Sequence, residues 1–288
     1  MRFPLLLPSG AALKITQASS GGILGGTIWP AADTLCRYLV HLQKEREKQQ
    51  QQQQLHYQSH HGDKPMRVIE LGSGTGVVGL YAAGLGMQVT LTEHRPPFAA
   101  AMTSVPYSVD GSLEDVVTMG EDPRSDVLLN LLQTNVRENR HLFSPEHLPI
   151  VQELDWTIPN HTDRLVLEQQ EQQAKDGEGG FDLIIASDVT YVSKLHNDLA
   201  MVIHKILQMQ TKPSSPSCLI AHQQRVLNLR GVDHQLESFM KSLDKVGLEL
   251  RDIDFVDEDN DNDKQYPFAG DKEVEHSVKL FEICVNAQ

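Results

Sequence analysis

Gly72, Gly74 and Gly76 alternate with Ser73 and Thr75 directly after the apolar run Val68-Ile69-Glu70-Leu71, and Val77-Val78-Gly79-Leu80 follows them. Such a run, alternate glycines and then apolar residues at helical spacing predict a strand, a tight turn and a helix. Glycine accepts positive φ and leaves the backbone bare, so a ligand can lie against it while the free N–H groups of the next helix point toward that ligand. A dinucleotide fingerprint needs a third glycine three residues after the second, and Val77 stands there. A different nucleoside-type ligand is expected. Met87-Gln88-Val89-Thr90-Leu91-Thr92-Glu93 reads as the next strand, and an acid at its end can accept from both hydroxyls of a ribose. Phe181-Asp182-Leu183-Ile184-Ile185-Ala186-Ser187 reads as a central strand buried on both faces, followed by Asp188-Val189-Thr190-Tyr191. Ligands of open α/β sheets bind at the carboxyl ends of strands, so Asp188 and Tyr191 arrive beside the reactive part of that ligand.

The elements that position these residues belong to a chain of 288 residues, 40% hydrophobic, which suffices for one large α/β domain or two small ones. A formal net charge of −14 makes nucleic acid a poor partner and suits basic protein segments better. Cys36, Cys218 and Cys284 are too widely separated to suggest disulfides or a metal cluster, so a reducing cytoplasmic or nuclear setting and no metal are expected. The start of the chain is too proline-broken for a signal sequence, and no later run reaches spanning length, so no membrane is expected.

The lead-in, residues 1–43, predicts an edge strand near Leu13 to Thr16, a glycine-rich approach to Trp29-Pro30, and a helix with Leu35, Tyr38, Leu39 and Leu42 on one face. Residues 44–64 carry a glutamine tract, read as a turn or two of helix and then a mobile link. The main domain is expected over residues 65–288, with insertions at about 96–125, 158–180 and 257–275. Between them lie a helix from Asp126, a short strand ending near Trp156, and a helix carrying Leu195, Leu199, Val202, Ile203 and Ile206. A strand over residues 218–222 follows, then a helix with Leu236, Phe239, Met240 and Leu243 inward, and two final strands placed antiparallel at the sheet edge. The acidic run at 257–263 is not a calcium loop: Asn262 occupies the position that needs glycine, and Phe268 the position of the bidentate glutamate.

The glycine-rich lead-in with Trp29, Glu-Leu-Gly-Ser-Gly-Thr-Gly at 70–76, the acid-terminated strand, Leu132 to Asn139, Leu154-Asp155-Trp156 and Ala186-Ser187-Asp188-Val189-Thr190-Tyr191 together resemble the family 16 protein-lysine methyltransferases, the methyltransferase-like 21 group. The resemblance implies a seven-strand Rossmann-like methyltransferase sheet, α/β, with helices on both faces and an antiparallel edge strand, and S-adenosylmethionine as cofactor. Relatives that methylate adenine carry Asn/Asp-Pro-Pro-Tyr where this chain has Asp188-Val189-Thr190-Tyr191. By the same resemblance Trp29 packs beside the cofactor, Gly72, Ser73 and Gly74 line its methionine portion, Glu93 holds the ribose in place of the usual aspartate, Trp156 lies against the adenine and Ser187 contacts the cofactor. Glu70 and Asp155 are counted with these contacts.

The implied activity is transfer of methyl groups to a lysine of a cytosolic or nuclear protein, such as a chaperone, translation factor or other ATPase, by a monomer. Asp188 would receive and orient the amine and Tyr191 would wall it in. Two alternatives stay open on the sequence: an N-methyltransferase for a small molecule or another amine, and an interaction protein without catalysis.

Overall fold

The computed structural model describes residues 4–18, 24–56, 64–94, 127–177, 179–209, 218–224, 233–255 and 278–286. The expected insertions at 96–125 and 257–275, with the acidic run at 257–263, lie outside them. Strands β1 (Pro4–Leu6) and β2 (Ala12–Lys14) precede the long helix α1 (Pro30–His56). There follow β3 (Arg67–Leu71), α2 (Val77–Gly84), β4 (Gln88–Glu93), α3 (Val127–Asn139), β5 (Ile150–Glu153), α4 (Pro159–Asp176) and β6 (Leu183–Ser187). The chain ends with α5 (His196–Leu207), β7 (Cys218–Gln223), α6 (His234–Asp244), β8 (Leu248–Ile253) and β9 (Val278–Val285).

The seven-stranded sheet has the order β5-β4-β3-β6-β7-β9-β8. The chain runs outward through β3, β4 and β5 and then returns to place β6 beside β3, so the order reverses between those two strands. That switch point opens a crevice at the carboxyl ends of β3 and β6, where the two strands diverge into turns of opposite direction. The final pair is antiparallel, with β9 reversed between β7 and β8 and β8 forming the edge.

One face of the sheet buries Val68, Val89, Leu91, Leu183, Ile185 and Leu219 against α1, α2 and the lead-in. The other buries Ile69, Leu71, Ile184, Ala186 and Ile220 against α4, α5 and α6. Period-two alternation in strands covered on both sides explains why β3 and β6 read as nearly continuous apolar runs.

Four expectations are corrected. Helix α1 does not stop after a turn or two of the glutamine tract but runs through it to His56. Glutamine is a good helix former, and the pairs Gln43–Glu47 and Glu45–Lys48 bridge successive turns there. Residues 158–180, read as a polar insertion, contain α4, which is the crossover from β5 to β6. Its apolar stripe is narrow, with Thr162 and Leu165 buried, while Gln169 accepts from the Arg67 guanidinium at 2.6 Å. Met240 is 45% exposed, because Phe239, Ser242 and Leu243 take the buried positions of that turn of α6. The lead-in strand, expected at an edge of the main sheet, pairs among the described residues with β1 in a separate two-stranded sheet.

The continuation of β2 is satisfied by side chains instead of a strand. Asn139 Oδ1 accepts from Lys14 N–H at 2.8 Å and its amide donates to Lys14 O at 2.8 Å; Asn135 does the same for Thr16 at 2.9 and 3.0 Å. Both asparagines are fully buried. Asn135 also donates to Thr75 O at 2.8 Å, so α3 ties the lead-in to the glycine turn.

Candidate active site

The glycine turn is built as its residues predict. Gly72, Gly74 and Gly76 have φ of 66, 53 and 76°, in the left-handed region that costs other L-residues about 1–2 kcal/mol. Ser73 N–H donates to Thr92 O at 2.8 Å, Thr92 N–H returns to Ser73 Oγ at 3.0 Å, and Thr92 Oγ1 donates to Glu70 O at 2.6 Å. The turn after β3 is thereby stitched to the end of β4, which delivers Glu93.

Close approach at these glycines is made by the protein itself. A Cβ on Gly74 would stand 2.5 Å from Gly25 O, where the lead-in crosses the turn four residues before Trp29. A Cβ on Gly72 would meet Val189 Cγ1 at 3.0 Å and the Trp156 indole at 3.3 Å. The turn carrying Asp188 and Tyr191 and the tryptophan after β5 therefore both rest on Gly72.

Glu93 is buried, and Oε2 accepts from Gly74 N–H at 2.7 Å. Oε1 accepts from His94 N–H at 2.9 Å and from ring Nδ1 at 2.8 Å. The Glu93 hydrogen bond, opposed by burial, holds His94 above its usual value. Oε1 thus already accepts two donors and Oε2 one, so Oε2 has capacity for a further donor, and a hydroxyl bound there adds to these contacts.

Glu70 sits on the inner side of the turn, 2% exposed, with Oε2 accepting from Gly79 N–H in the first turn of α2 at 3.2 Å. Its place is beneath the turn, where it braces the helix start. Burial, partly countered by the hydrogen bonds from Ser73 and Gly79, raises its carboxyl from 4.5 to about 8. Between about pH 4.5 and 8 the folded protein thus holds a proton that the unfolded chain releases, so stability falls as pH rises through that window and levels above it. Glu70→Gln keeps an acceptor for Gly79 and has no proton to lose. Urea unfolding of this variant should show a flatter dependence of stability on pH across that window than wild type, and coincident curves would mean Glu70 is ionised throughout.

Asp155 and Trp156 follow β5. Asp155 Oδ1 accepts from Thr157 N–H at 2.9 Å and from Thr157 Oγ1 at 2.7 Å, forming the turn that presents Trp156. Trp29, half-buried, stands immediately before α1, and its carbonyl accepts from Ala32 N–H at 3.0 Å. Ser187 ends β6 opposite Ala221.

Asp188 is buried with φ of 55°, alone in positive φ among the described non-glycine residues. A buried non-glycine residue in that region marks a conformation imposed by its surroundings. Tyr191 is half-buried at the end of the same turn. Direct contacts join Gly72, Gly74, Glu93, Trp156 and Val189 into one cluster, with Asp188 adjoining through Val189.

Several contributors escaped sequence reasoning. Asn135 and Asn139 fall on the apolar spacing of Leu128 and Leu132, a polar pair on a buried face that signals a hydrogen-bonding role. Gln223, at the carboxyl end of β7 and two residues beyond the partner of Ser187, has a buried Oε1 without a hydrogen-bond partner among the described residues. No sequence signal distinguishes it.

A strand order in which β3 and β6 flank the switch point, with β9 reversed next to the edge, and a glycine turn and buried acid at the carboxyl ends, defines the seven-strand methyltransferase class. A solved structure described as the SAM-dependent methyltransferase from Agrobacterium tumefaciens shares this fold, with a TM-score of 0.50 at 11% identity over 99% of this chain and 70% of that one. Within the class, the chain belongs to the lysine methyltransferase family, whose model matches residues 8–120 and 123–246. It is 26% identical to the protein-lysine methyltransferase METTL21E of Mus musculus over 70% of this chain and 59% of that protein. It is 28% identical to the calmodulin-lysine N-methyltransferase of Arabidopsis thaliana over 63% of this chain and 43% of that protein. The chain thus spans about half the length of these relatives.

Proposed function

We propose that this chain is an S-adenosylmethionine-dependent protein-lysine N-methyltransferase. The observation that carries the reading is the contact of Val189 and Trp156 with Gly72, which sets the Asp188 turn directly on the glycine turn. The residues present fit the cofactor: a backbone cup at Gly72 to Gly74, a buried carboxylate at Glu93 with acceptor capacity to spare, and an indole at Trp156 for a flat base. Trp29 and Ser187 complete the lining in this reading. When bound, S-adenosylmethionine supplies a methyl group on a positively charged sulfur, already electrophilic.

What remains for the protein is to present an amine lone pair in line and to exclude water. A lysine ammonium, with a reference pKa of about 10.4, has no lone pair, so its deprotonation is the catalytic problem. An apolar, aromatic-walled slot favours the neutral amine, whereas a carboxylate favours the ammonium. Asp188 therefore receives and orients the incoming ammonium, and Tyr191 walls it. Water carries the proton away. The net charge of −14 suits a lysine-bearing, basic segment of a protein in the cytoplasm or nucleus.

The test is incorporation of tritiated methyl from S-adenosylmethionine into a whole cell extract, followed by mass spectrometry of the labelled fraction. Label on lysine of a retained protein is expected. Label that passes a size filter, or enters nucleic acid only, would overturn the proposal in favour of a small-molecule or nucleic-acid acceptor.

A further inference from the structure

The turn from Asp188 to Tyr191 is held by four hydrogen bonds from three elements. Asp188 N–H donates to Ala221 O of β7 at 2.8 Å. Gln235 Nε2 of α6 donates to Tyr191 O at 2.7 Å. The other two converge on Thr190, which is fully buried between the two functional residues: its Oγ1 lies 2.6 Å from His222 Nδ1, and its carbonyl 2.9 Å from His196 Nε2.

The partners of the two histidines dictate which nitrogen carries each proton. His222 Nε2 lies 2.8 Å from Asp233 Oδ2. Burial pushes the Asp233 carboxyl up, but the His222 hydrogen bond and the backbone N–H groups of Leu236 and Gln235 outweigh it and hold it below its usual value. A carboxylate only accepts, so Nε2 bears a proton and donates to Asp233, leaving Nδ1 to pair with the Thr190 hydroxyl. Thr190 O can also only accept, so His196 Nε2 donates and its Nδ1 faces Ser238 Oγ at 3.1 Å. Burial, acting against the Thr190 hydrogen bond, lowers the His196 pKa and favours this neutral ring. Asp233 also caps α6, with Oδ1 accepting from Gln235 N–H at 2.9 Å and Leu236 N–H at 3.2 Å. One aspartate thus fixes both His222 and the helix that carries Gln235.

We infer that the buried relay Asp233–His222–Thr190, with His196 on the Thr190 carbonyl, is a positioning device that holds the Asp188 turn in its left-handed conformation and so aims Asp188 and Tyr191 at the methyl-accepting nitrogen. Asp, His and a hydroxyl in series resemble a nucleophile relay, but Thr190 and His222 are each 0% exposed, so the hydroxyl meets no substrate. The chain acts through backbone geometry: the strained φ at Asp188 persists because its surroundings over-determine it. Removing the Thr190 hydroxyl frees the middle of the turn while leaving the bond between Gly74 and Glu93 in place.

This inference rests on the proposed methyl transfer for its functional half, and the experiment separates the two. Thr190→Val keeps side-chain shape without the hydroxyl, and Thr190→Ser restores the hydroxyl. With dialysed lysate protein as acceptor, Thr190→Val should lower kcat by about tenfold or more with the acceptor KM within about threefold and the S-adenosylmethionine Kd within about twofold of wild type. Thr190→Ser should return kcat to within about threefold. A merely structural role would lower Tm and leave turnover per folded molecule unchanged, and that result overturns the inference. Backbone amide NMR supplies a readout independent of turnover. Thr190→Val should move the Asp188 and Tyr191 resonances and leave Gly74 and Gly76 in place. Unmoved Asp188 and Tyr191 signals would overturn the relay whatever the activity, whereas a wild-type protein that moves no label to any protein counts against the proposed function alone.

Discussion

Asp188→Asn is expected to reduce methyl transfer by about 10²-fold or more while leaving the affinity for S-adenosylmethionine within about twofold of wild type. Asparagine tolerates positive φ nearly as well as aspartate, so the backbone at φ 55° survives and the change is chiefly one of charge. Loss of the carboxylate removes the group that draws in and orients the ammonium. It also removes a charge that favours the protonated amine, so the residual activity should begin at lower pH than in wild type. A loss of rate with the acidic limb of the pH profile moved downward supports orientation by Asp188. Residual activity needing more alkaline solution would identify Asp188 as the base that takes the proton, and activity within about threefold of wild type would remove it from the mechanism. Single-turnover labelling at saturating cofactor, run across pH, measures all three.

Gly74→Ala should abolish cofactor binding in practice, weakening it by about 100-fold or more. Two costs combine: a left-handed φ of 53° and a Cβ placed 2.5 Å from Gly25 O, which is backbone and cannot swing aside. Together they amount to about 3 kcal/mol or more, and each 1.4 kcal/mol is roughly tenfold in affinity if relief comes from displacing the turn. Displacement also breaks the Gly74 N–H bond to Glu93 Oε2, so the cup and the ribose acceptor fail together. Gly10→Ala provides the control, with φ of 82° and nothing within 4 Å of the new Cβ. It should cost stability by strain alone and leave the titration with S-adenosylmethionine unchanged. If Gly74→Ala binds the cofactor as wild type does, the ligand does not sit on this turn.

The same two residues mark how far sequence could go. Gly74 was legible because alternate glycines between an apolar strand and an apolar helix have few other uses, and Asp188 because a run of branched residues that stops at an acid locates the end of a buried strand. Glu93 was legible for the same reason, one strand over. Helix α4 was not: only Thr162 and Leu165 are buried among many glutamines and glutamates, too narrow a stripe to stand out from a polar insertion. The length of α1 was hidden because a glutamine tract has no apolar periodicity, although its propensity permits a helix.

Local pattern alone determined the strand-turn-helix units, the acids at their carboxyl ends and the class of ligand they suit, since these depend on φ preferences and on the periods of burial along a few neighbouring residues. What only the folded chain decided is which distant groups meet: Gly25 and Trp156 on the glycine turn, Asn135 between Thr16 and Thr75, and His222 and Asp233 behind Thr190. Those meetings follow from the crossover that returns β6 to β3 and from helices closing over both faces of the sheet. Their partners lie tens of residues apart, and nothing in a single stretch of chain encodes such a pairing until burial forces each polar group to find one.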